Sequence, residues 1–461
     1  MDFKVLAPNY KDEYLTKVKR LLRIPSVFEE DSHYPFGKKI DDALKEMLAI
    51  GREDGFQVKN LSGYAGHIEW GEGEQLLGIL GHLDVVPAGD GWSSDPFEPV
   101  IKDGNLYGRG AQDDKGPIVA AYIAMKLLKD QGFEPNKRIR LILGTDEERD
   151  WQGIDYYFKQ EEMPSFGFSP DAAFPVIHAE KGLIDGYMEL PVLNHFSDGQ
   201  IQIIRIEGGD RLNMVPDKAI ATLRTDNHEL VEQKFTSYIK AKGLGGKCSL
   251  DNDHMMVEVH GKGAHASKPS QGVNAIIELI RFLTALPLSE VAYECFSQLT
   301  EILGDNSGEK LGIKHHDDVS GSLTMNLGSF QLSETELVAG LNIRYPVTQE
   351  SEALLYKIQQ QATRWKGNYK VYDHLRPLYI DEGHEGVSAL LNIYNRHTGN
   401  RTKAEAIGGA TYARALKAGV AYGAMFPDSP DTAHQVDEYV RIQDMVAAVA
   451  IYAEAIYQLT K

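Results

Sequence analysis

The strongest constraint on the fold is the alternation of short apolar segments with helical ones in the first part of the chain. HIEW, LLGIL, RIRLILGT and AAFPVI have the composition of short strands, and GPIVAAYIAMKLLKDQG between them has helical spacing. Before them, YKDEYLTKVKRLLRI and IDDALKEMLAIGREDGF predict two helices. Strands that alternate with helices are typical of an α/β domain, in which helices cover a central sheet. We therefore predict such a domain here.

The middle of the chain has a different pattern. IQIIRIEG, HMMVEVHG and LVAGLNIRYP predict strands, and they alternate with helical NAIIELIRFLTAL and SEALLYKIQQQATRWKG, as in an α+β domain with antiparallel strands. After about residue 385 the chain is predicted to become helical again, and VRIQDMVAAVAIYAEAIYQL closes it with an amphipathic helix. We predict one domain formed by residues 1–182 and 385–461, into which residues 183–384 are inserted.

Composition excludes several partners and locations. A formal net charge of −19 argues against nucleic acid, which needs a basic surface. The only cysteines, Cys248 and Cys295, are too few for a disulfide framework and indicate a reducing compartment. The charged amino terminus resembles no signal peptide, and no run of about 18 apolar residues predicts a membrane span. We expect a cytoplasmic protein that binds neither membrane nor nucleic acid.

Polar clusters stand at the predicted strand ends and before the predicted helices. GHLDVVPAGDGW follows LLGIL and carries His82 and Asp84, which point to the same side of an extended segment. GRGAQDDKG, GTDEERDWQG, SPDAAFP and DTAHQVDE have similar positions. Taken singly, each is more simply a turn or a solvated helix start, because an Asp in a Gly-rich turn bonds its own backbone. Their joint occurrence favours a functional site at the carboxyl ends of the strands.

The ligand types in these clusters fit two metal ions. A dinuclear site needs about six ligand groups, including a carboxylate that bridges the ions. The candidate ligands are His82, Asp113, Glu148, Asp171 and His434. Spacing alone does not decide whether Asp113 or Asp114 is the bridge. Imidazoles mixed with carboxylates suit zinc, manganese or cobalt better than calcium or magnesium. We predict two divalent ions per chain, with zinc as the first choice.

Two further carboxylates complete the predicted chemistry. Asp84 is expected to accept the second ring N–H of His82 and thereby fix its tautomer. Glu147 directly precedes Glu148, so the two side chains leave the backbone in different directions. One of them can bind metal while the other faces a water that the metals activate. Glu147 is therefore predicted to be the general base, and the predicted reaction is hydrolysis of an amide.

At this point the motifs resemble those of a known family. GHLDVVPAGDGW, GRGAQDDKG, GTDEE, SPDA and TAHQVDE resemble the M20 metallopeptidases, which include aminoacylases, acetylornithine deacetylase, succinyl-diaminopimelate desuccinylase and carnosinase. A closer similarity, to the branch of the bacterial dipeptidase PepV, is found in GTDEERDWQGIDYYFKQ and FSPDAAFPVIHAEKG. The resemblance to the family spans nearly the full chain. The resemblance implies a zinc-peptidase-like catalytic domain with a mixed central sheet flanked by helices, and an inserted α+β lid domain. It implies the same ligands, with Asp113 as the bridge, Asp84 as the supporting carboxylate and Glu147 as the base.

The resemblance also implies residues that contact the substrate. GKGAHASKP resembles the segment whose histidine polarises the scissile carbonyl, here His265, although the residues alone favour a solvated hairpin tip. NMVPD and LNIRYP resemble segments that bind the substrate's carboxylate, which points to Asn213 and Arg344; a strand-surface ion pair is the alternative for the arginine. AIGGATYARAL fits a glycine loop that runs into a helix, and Gly409 is the expected contact. This loop departs from the acidic or arginine-bearing versions of some relatives.

Together these implications favour a dipeptidase that cleaves unblocked dipeptides. The alternative is an N-acyl amino acid deacylase, of the acetylornithine deacetylase or succinyl-diaminopimelate desuccinylase type, with the same metals. A catalytically silent binding protein is disfavoured, because every residue that the reaction requires is present. The insert is about twice the size of the small domain of dimeric family members, so we expect it to contain two related α+β halves. A monomer with a self-contained active site is expected for the same reason.

Overall fold

The structure, a computed structural model, describes residues 1–191 and 199–461 of the chain. These residues form two compact units. The first unit contains Met1–Ala179, Tyr379–Ala406 and Ala410–Lys461, and the second contains Glu180–Leu378 and Ile407–Gly409. The sequence predicts domain boundaries after residues 182 and 384, whereas the units divide after Ala179 and Leu378. The sequence gives no sign that Ile407–Gly409 groups with the second unit.

Helices and strands alternate in both units. The α-helices are α1 Phe3–Leu6, α2 Lys11–Leu22, α3 Lys38–Glu53, α4 Lys115–Asp130, α5 Gln152–Phe158, α6 His228–Lys242, α7 Ala275–Leu283, α8 Glu290–Leu303, α9 Ser351–Arg364, α10 Glu385–Thr398 and α11 Ile442–Thr460. The strands are β1 Gln57–Leu61, β2 Ala65–Trp70, β3 Leu76–His82, β4 Val100–Lys102, β5 Asn105–Tyr107, β6 Arg138–Gly144, β7 Phe166–Ser169, β8 Ala172–Ala173, β9 Ile177–Glu180, β10 Gly182–Leu190, β11 Gln202–Gly208, β12 Lys218–Arg224, β13 Gly245–Asp251, β14 His254–His260, β15 His316–Asp317, β16 Gly321–Ser322, β17 Thr324–Leu332, β18 Leu337–Tyr345, β19 Asn368–Leu375, β20 Leu378–Tyr379, β21 Glu405–Ile407, β22 Gly419–Ala421, β23 Ala424–Met425 and β24 Tyr439–Arg441. None of the helices in the described ranges combines the length and the apolarity that crossing a membrane requires.

A mixed sheet lies at the centre of the first unit, with strands in the order β1-β2-β6-β3-β7-β22-β9. β3 runs parallel to β6 and to β7, whereas β2 is antiparallel to β1 and to β6. β3 is buried along its whole length, as expected of an apolar central strand that is covered on both faces. α4 and α11 pack against each other in the same core. The predicted fold class, a mixed sheet flanked by helices, is confirmed.

Two predictions about elements of this unit are wrong in detail. The segment AAFPVI is not one strand but is divided between β8 and β9. Pro175 lies in the interruption, where it has no N–H to contribute to a strand ladder. The chain after residue 385 is also not wholly helical, because β22 lies between β7 and β9 in the central sheet. A strand of three residues is too short to be recognised by its periodicity.

An antiparallel sheet lies at the centre of the second unit, in the order β13-β14-β12-β11-β17-β18-β10-β19. Its two halves repeat one connectivity, a hairpin followed by a helix and an edge strand. These series are β11-β12-α6-β13 and β17-β18-α9-β19, and each has one more strand, β14 or β10, next to its edge. The antiparallel α+β pattern of the sequence is therefore present. The repeated connectivity supports the proposal that the two halves are related.

Candidate metal centre and substrate-binding residues

Three neighbouring strand ends and two loops bring the predicted metal ligands together in the first unit. His82 is the last residue of β3, Glu148 follows β6, and Asp171 follows β7. Since β6, β3 and β7 are parallel neighbours, their carboxyl ends lie at one edge of the sheet. Asp113 lies just before α4, and His434 lies in the loop before β24. The strand order therefore explains the proximity of His82, Glu148 and Asp171, and the two loops add the other ligands.

These side chains form two groups that share Asp113. The ligand atoms of His82, Asp113 and Asp171 lie within 4.8 Å of one another, and so do those of Asp113, Glu148 and His434. Oδ1 of Asp113 is 2.9 Å from His82 Nε2, and Oδ2 is 2.9 Å from His434 Nε2. His434 Nε2 is also 2.9 Å from Glu148 Oε1. A carboxylate that presents one oxygen to each group has the arrangement that bridging two ions requires.

The charges in this cluster call for cations. Burial alone would lower the pKa of His82, but the hydrogen bond to Asp113 raises it well above its ordinary value. Hydrogen bonds to Asp113 and Glu148 raise the pKa of His434 to about 10. Burial raises the pKa of Asp171 well above its usual range, and the charge of Asp113 adds to the shift. Protons thus collect on ligand atoms that divalent ions would bind instead. Each group offers one imidazole and two carboxylates, so the residues fit two ions of the zinc, manganese or cobalt type.

Asp114 occupies a structural position beside these groups. Its Oδ2 accepts the backbone N–H of His82 at 3.2 Å, and burial raises the pKa of its carboxyl well above the usual range. A Cβ on Gly81 would lie 2.3 Å from the same oxygen, so a glycine is needed there. Among the described residues, neither ligand group includes Asp114. Asp113 is therefore the aspartate that the two groups share.

Asp84 contacts its neighbours differently from the sequence-based expectation. His82 Nδ1 lies 3.0 Å from the backbone carbonyl oxygen of Asp84 and 3.5 Å from its carboxylate. The carbonyl oxygen is therefore the nearer acceptor for the ring. The carboxylate instead accepts the backbone N–H groups of Glu147 and Glu148, at 3.2 and 3.0 Å. A backbone acceptor leaves no trace in a sequence, which is why the expectation assigned this bond to the side chain. Asp84 supports the two glutamates with its carboxylate and His82 with its backbone.

The backbone of Glu147 is held by a second residue. Trp151 Nε1 donates to the carbonyl oxygen of Glu147 at 2.8 Å. The indole ring packs edge-on against Tyr412, with 5.2 Å between ring centroids. Burial raises the pKa of the Glu147 carboxyl to about 8, against the opposing effect of His82. Trp151 and Asp84 thus fix the backbone from which the proposed base projects.

A buried ion pair, which the sequence analysis did not identify, joins the segment of Asp113 to that of His434. Arg109 Nη1 donates to Glu438 Oε2, and these side chains are 1% and 0% exposed. Oε1 of Glu438 accepts the backbone N–H groups of Gln112 at 2.8 Å and Asp113 at 3.2 Å. Both ionic residues lie within the quoted motifs, but a pairing across 329 positions is not visible in a single sequence. The pair fixes the backbone of the shared ligand.

A cavity of about 390 Å³ adjoins the ligands. Its lining includes Asp113, Asp171, Met425 and Phe426. The side chain of Gln112 fixes the 430–432 segment beside it, because it donates to a carbonyl at 2.9 Å and accepts a backbone N–H at 2.6 Å. Cavities of a few hundred Å³ with an apolar wall and a few polar groups are typical of small-molecule sites.

In the second unit, Asn213 and His265 lie on paired segments. The carbonyl oxygen of Asn213 accepts the N–H of Ala266 at 2.8 Å. Nδ1 of His265 accepts the backbone N–H of Ser267 at 3.2 Å, so the neutral ring carries its proton on Nε2. Burial lowers the pKa of His265, and the charge of Arg344 lowers it further. The ring is thus kept neutral, with a donor on Nε2. No pattern in the sequence indicates this contact of Ser267.

Asn326 fixes the segment of Asn213 from the neighbouring sheet. Its Nδ2 donates to the carbonyl oxygens of Leu212 at 3.1 Å and Met214 at 2.8 Å. Asn326 is 1% exposed, and buried amides of this kind must be hydrogen-bonded. The signal in the sequence was a single asparagine in the apolar strand β17, which by itself is not specific.

Arg344 lies on β18 and is 6% exposed. Its Nε donates to Oδ1 of Asn342 at 3.0 Å. Exposure this low does not fit the surface position that the alternative interpretation assumed. The structure therefore presents Arg344 as a buried, hydrogen-bonded guanidinium.

The glycine loop differs from the expectation in two ways. The segment Ile407–Gly409 belongs to the second unit, where the N–H of Lys181 donates to the carbonyl oxygen of Ile407 at 3.0 Å. The chain then continues into the four-residue 3-10 helix Tyr412–Ala415, which is too short to bind an anion at its amino end. A Cβ on Gly409 would meet nothing nearer than Ile407 Cδ1, at 3.7 Å, so packing does not require glycine there.

Comparison with known proteins gives one family. The model of peptidase family M20/M25/M40 matches residues 78–458. A Bacillus subtilis protein named "Putative dipeptidase YtjP" is 40% identical over 466 aligned positions, which cover 100% of both chains. The structure of aminoacylhistidine dipeptidase from Vibrio alginolyticus has a TM-score of 0.59 and 14% identity, covering 100% of this chain and 98% of its own. The Bacillus subtilis YXEP protein, described as a dinuclear metal-binding peptidase, has a TM-score of 0.52 and 10% identity, covering 98% and 99%. At these identities the two solved structures establish a shared fold.

Proposed function

Because this chain belongs to peptidase family M20/M25/M40, we propose that it is a metal-dependent dipeptidase that hydrolyses the amide bond of unblocked dipeptides. The relative that matches along the whole chain carries a dipeptidase name, which supports this substrate class. The observation that carries the proposal is the pair of ligand groups that share Asp113. A bridging carboxylate is the feature that distinguishes a two-metal hydrolytic site from a single-ion site.

Carboxylates of the first unit have three separate tasks in this proposal. Two divalent ions bound by the ligand groups would polarise the scissile carbonyl and lower the pKa of the attacking water. Glu147 takes a proton from that water and delivers it to the nitrogen of the leaving amine. Asp84 keeps Glu147 and Glu148 in place through its hydrogen bonds to their backbone N–H groups. The ligand and the base are thus positioned by one side chain.

Residues of the second unit are proposed to recognise the substrate. His265, with its proton on Nε2, donates a hydrogen bond to the scissile carbonyl oxygen. Arg344 binds the substrate's terminal carboxylate through two parallel N–H donors, and Asn213 adds a hydrogen bond at the same end. Gly409 contacts the substrate with its backbone, since it presents no side chain. A dipeptide has a carboxylate at one end, a free amine at the other and one amide bond between them.

Zinc is the proposed ion, with manganese and cobalt as the alternatives, because the ligands are imidazoles and carboxylates. Elemental analysis of protein purified without added metal distinguishes the three. We expect about two zinc ions per chain, because each of the two ligand groups would bind one ion. Manganese or cobalt at that ratio, with zinc absent, would contradict the choice.

A cytoplasmic location is proposed because Cys248 and Cys295 are both free. Cell fractionation tests it: the protein should appear with a cytoplasmic marker enzyme. Recovery mainly in the culture medium or the membrane fraction would contradict the proposal.

The protein is also proposed to act as a monomer with a complete active site. The repeated connectivity of the second unit supports this proposal, since one chain then supplies what two small domains would supply in a dimer. Inactive His265→Ala protein and inactive Glu147→Gln protein should remain inactive after mixing. If activity returned on mixing, the site would be shared between subunits.

The test of the proposed function separates catalysis from metal binding. Glu147→Gln should lower turnover of Leu-Leu by several orders of magnitude but keep the metal, because it removes only the proton acceptor. His82→Ala should lose metal. Asp150→Asn is the matched control, because this carboxylate lies on the same loop with its side chain 58% exposed. If Glu147→Gln kept more than a few per cent of activity, Glu147 would not be the base.

A further inference from the structure

Three polar side chains lie side by side within the sheet of the second unit. Asp185 on β10 is directly opposite Asn342 on β18. Arg344 follows two residues later on the same strand, so its side chain lies on the same face of the sheet as that of Asn342. Asn342 is 0% exposed and Asp185 is half-buried. Arg344 therefore has two polar neighbours within the sheet, Asn342 on its own strand and Asp185 on the adjacent strand.

Hydrogen bonds connect these side chains in series. Arg344 Nε donates to Asn342 Oδ1 at 3.0 Å, and Asn342 Nδ2 donates to Asp185 Oδ1 at 2.6 Å. An amide has both a donor and an acceptor, so it can join a guanidinium to a carboxylate. Burial raises the pKa of Asp185 to about 6, although Asn342 and Arg344 both lower it. A carboxyl oxygen accepts the amide N–H in either protonation state, so this hydrogen bond does not depend on the charge of Asp185.

Asn342 lies on a polar face of its strand. Its neighbours Leu341 and Ile343 point to the opposite face, in the apolar core of the unit. A leucine at position 342 would leave Arg344 Nε without this acceptor and the Asp185 carboxyl without this donor. The amide is therefore explained by the two side chains that it joins.

We propose that Asp185 and Asn342 are positioning residues that set the guanidinium of Arg344 for the carboxylate end of the substrate. The hydrogen bond from Nε to Asn342 fixes the plane of the guanidinium, and a guanidinium held in one plane is suited to bind a carboxylate. Neither positioning residue touches the substrate. The inference rests on the proposed function, which gives Arg344 its role in carboxylate binding.

Steady-state kinetics on Leu-Leu and on its C-terminal amide test the proposal. Asn342→Leu and Asp185→Leu should each raise KM for Leu-Leu by about tenfold or more, while kcat changes less than about threefold. Hydrolysis of the amide should be unchanged, because it has no carboxylate to bind. Asp185→Asn should retain the wild-type KM, because its amide oxygen can still accept the hydrogen bond from Asn342. Glu189→Leu is the matched control on the same strand, since its carboxylate pairs with surface Lys370 at 2.8 Å.

A double variant separates positioning from general damage. The double variant Asn342→Leu/Arg344→Met should show the same preference for Leu-Leu over the amide as Arg344→Met alone. The reason is that Asn342 acts only through Arg344, so its loss has no further effect once Arg344 is gone. Additive losses, or equal losses on the two substrates, would overturn the inference. If Asn342→Leu does not fold, Asp185→Leu decides the question alone, because Asp185 is only half-buried. If Arg344→Met itself leaves the preference for Leu-Leu intact, the proposed role of Arg344 is wrong, which is a separate result.

Discussion

Replacing Arg109 with methionine should destabilise the first unit and weaken metal binding. Arg109 and Glu438 are 1% and 0% exposed, so the variant leaves the Glu438 carboxylate buried without its cation. Removing one partner of a buried ion pair costs about 3 to 5 kcal/mol. The N–H groups of Gln112 and Asp113 continue to bond the carboxylate, so we expect the lower end, about 3 kcal/mol. The backbone of Asp113 should move with it.

Urea unfolding of the metal-free protein, followed by tryptophan fluorescence, measures this loss. The centre of the Trp92 ring lies 5.3 Å from the guanidinium carbon of Arg109, so the fluorescence of Trp92 reports on the surroundings of Arg109. Arg23→Met is the control, because Arg23 pairs with Glu98 at the surface and such pairs contribute little. The affinity for zinc, measured by competition with a chelator, should fall about tenfold or more. A stability loss below about 1 kcal/mol, which is the range of exposed pairs, would refute the reasoning.

Three further predictions concern single positions. Asp84→Asn should lower activity or metal affinity by about 10 to 100-fold in a metal-titration assay, and a full-activity variant would contradict its support of the glutamates. Gly81→Ala should cost about 1 to 3 kcal/mol in thermal unfolding, because the added Cβ would lie 2.3 Å from Asp114 Oδ2 and 2.5 Å from Ile118 Cδ1; an unchanged Tm would count against this contact. Burial lowers the pKa of His67 to about 4, so the neutral ring stabilises the fold above pH 6.5 and this contribution is lost as the pH falls toward 4. Between pH 7 and 5 the wild type should lose about 2 kcal/mol more than His67→Asn, and equal losses would show that His67 does not titrate in this way.

The sequence alone identifies the site residues whose type and local position indicate their role. His82 ends β3 and Asp171 lies two residues after the end of β7, where side chains of parallel neighbours converge, so their proximity follows from strand order. The buried pair of Arg109 and Glu438 is different, because its partners are 329 positions apart and each reads as an ordinary charged residue. Long-range pairs of this kind depend on the finished fold.

The structure also corrects expectations that depended on backbone geometry. The sequence indicates the Asp84 carboxylate as the partner of the second ring nitrogen of His82, but the backbone carbonyl oxygen of Asp84 is the nearer acceptor, at 3.0 Å against 3.5 Å. Every residue has a carbonyl, so no pattern of side chains could indicate this acceptor. The strand β22 was missed for a related reason, since three residues carry no periodicity. What single-sequence reasoning lacks is the pairing of distant backbone groups.

The most direct test of the two-metal dipeptidase is a zinc titration of the metal-free protein, with hydrolysis of Leu-Leu and of N-acetyl-Leu-Leu measured at each step. One ion for each of the two ligand groups that share Asp113 should be needed for full activity. Hydrolysis of free Leu-Leu should therefore rise until about two equivalents of zinc are bound, and the acetylated form should be a poor substrate throughout. Full activity at one equivalent, or a preference for the acetylated form, would contradict the account.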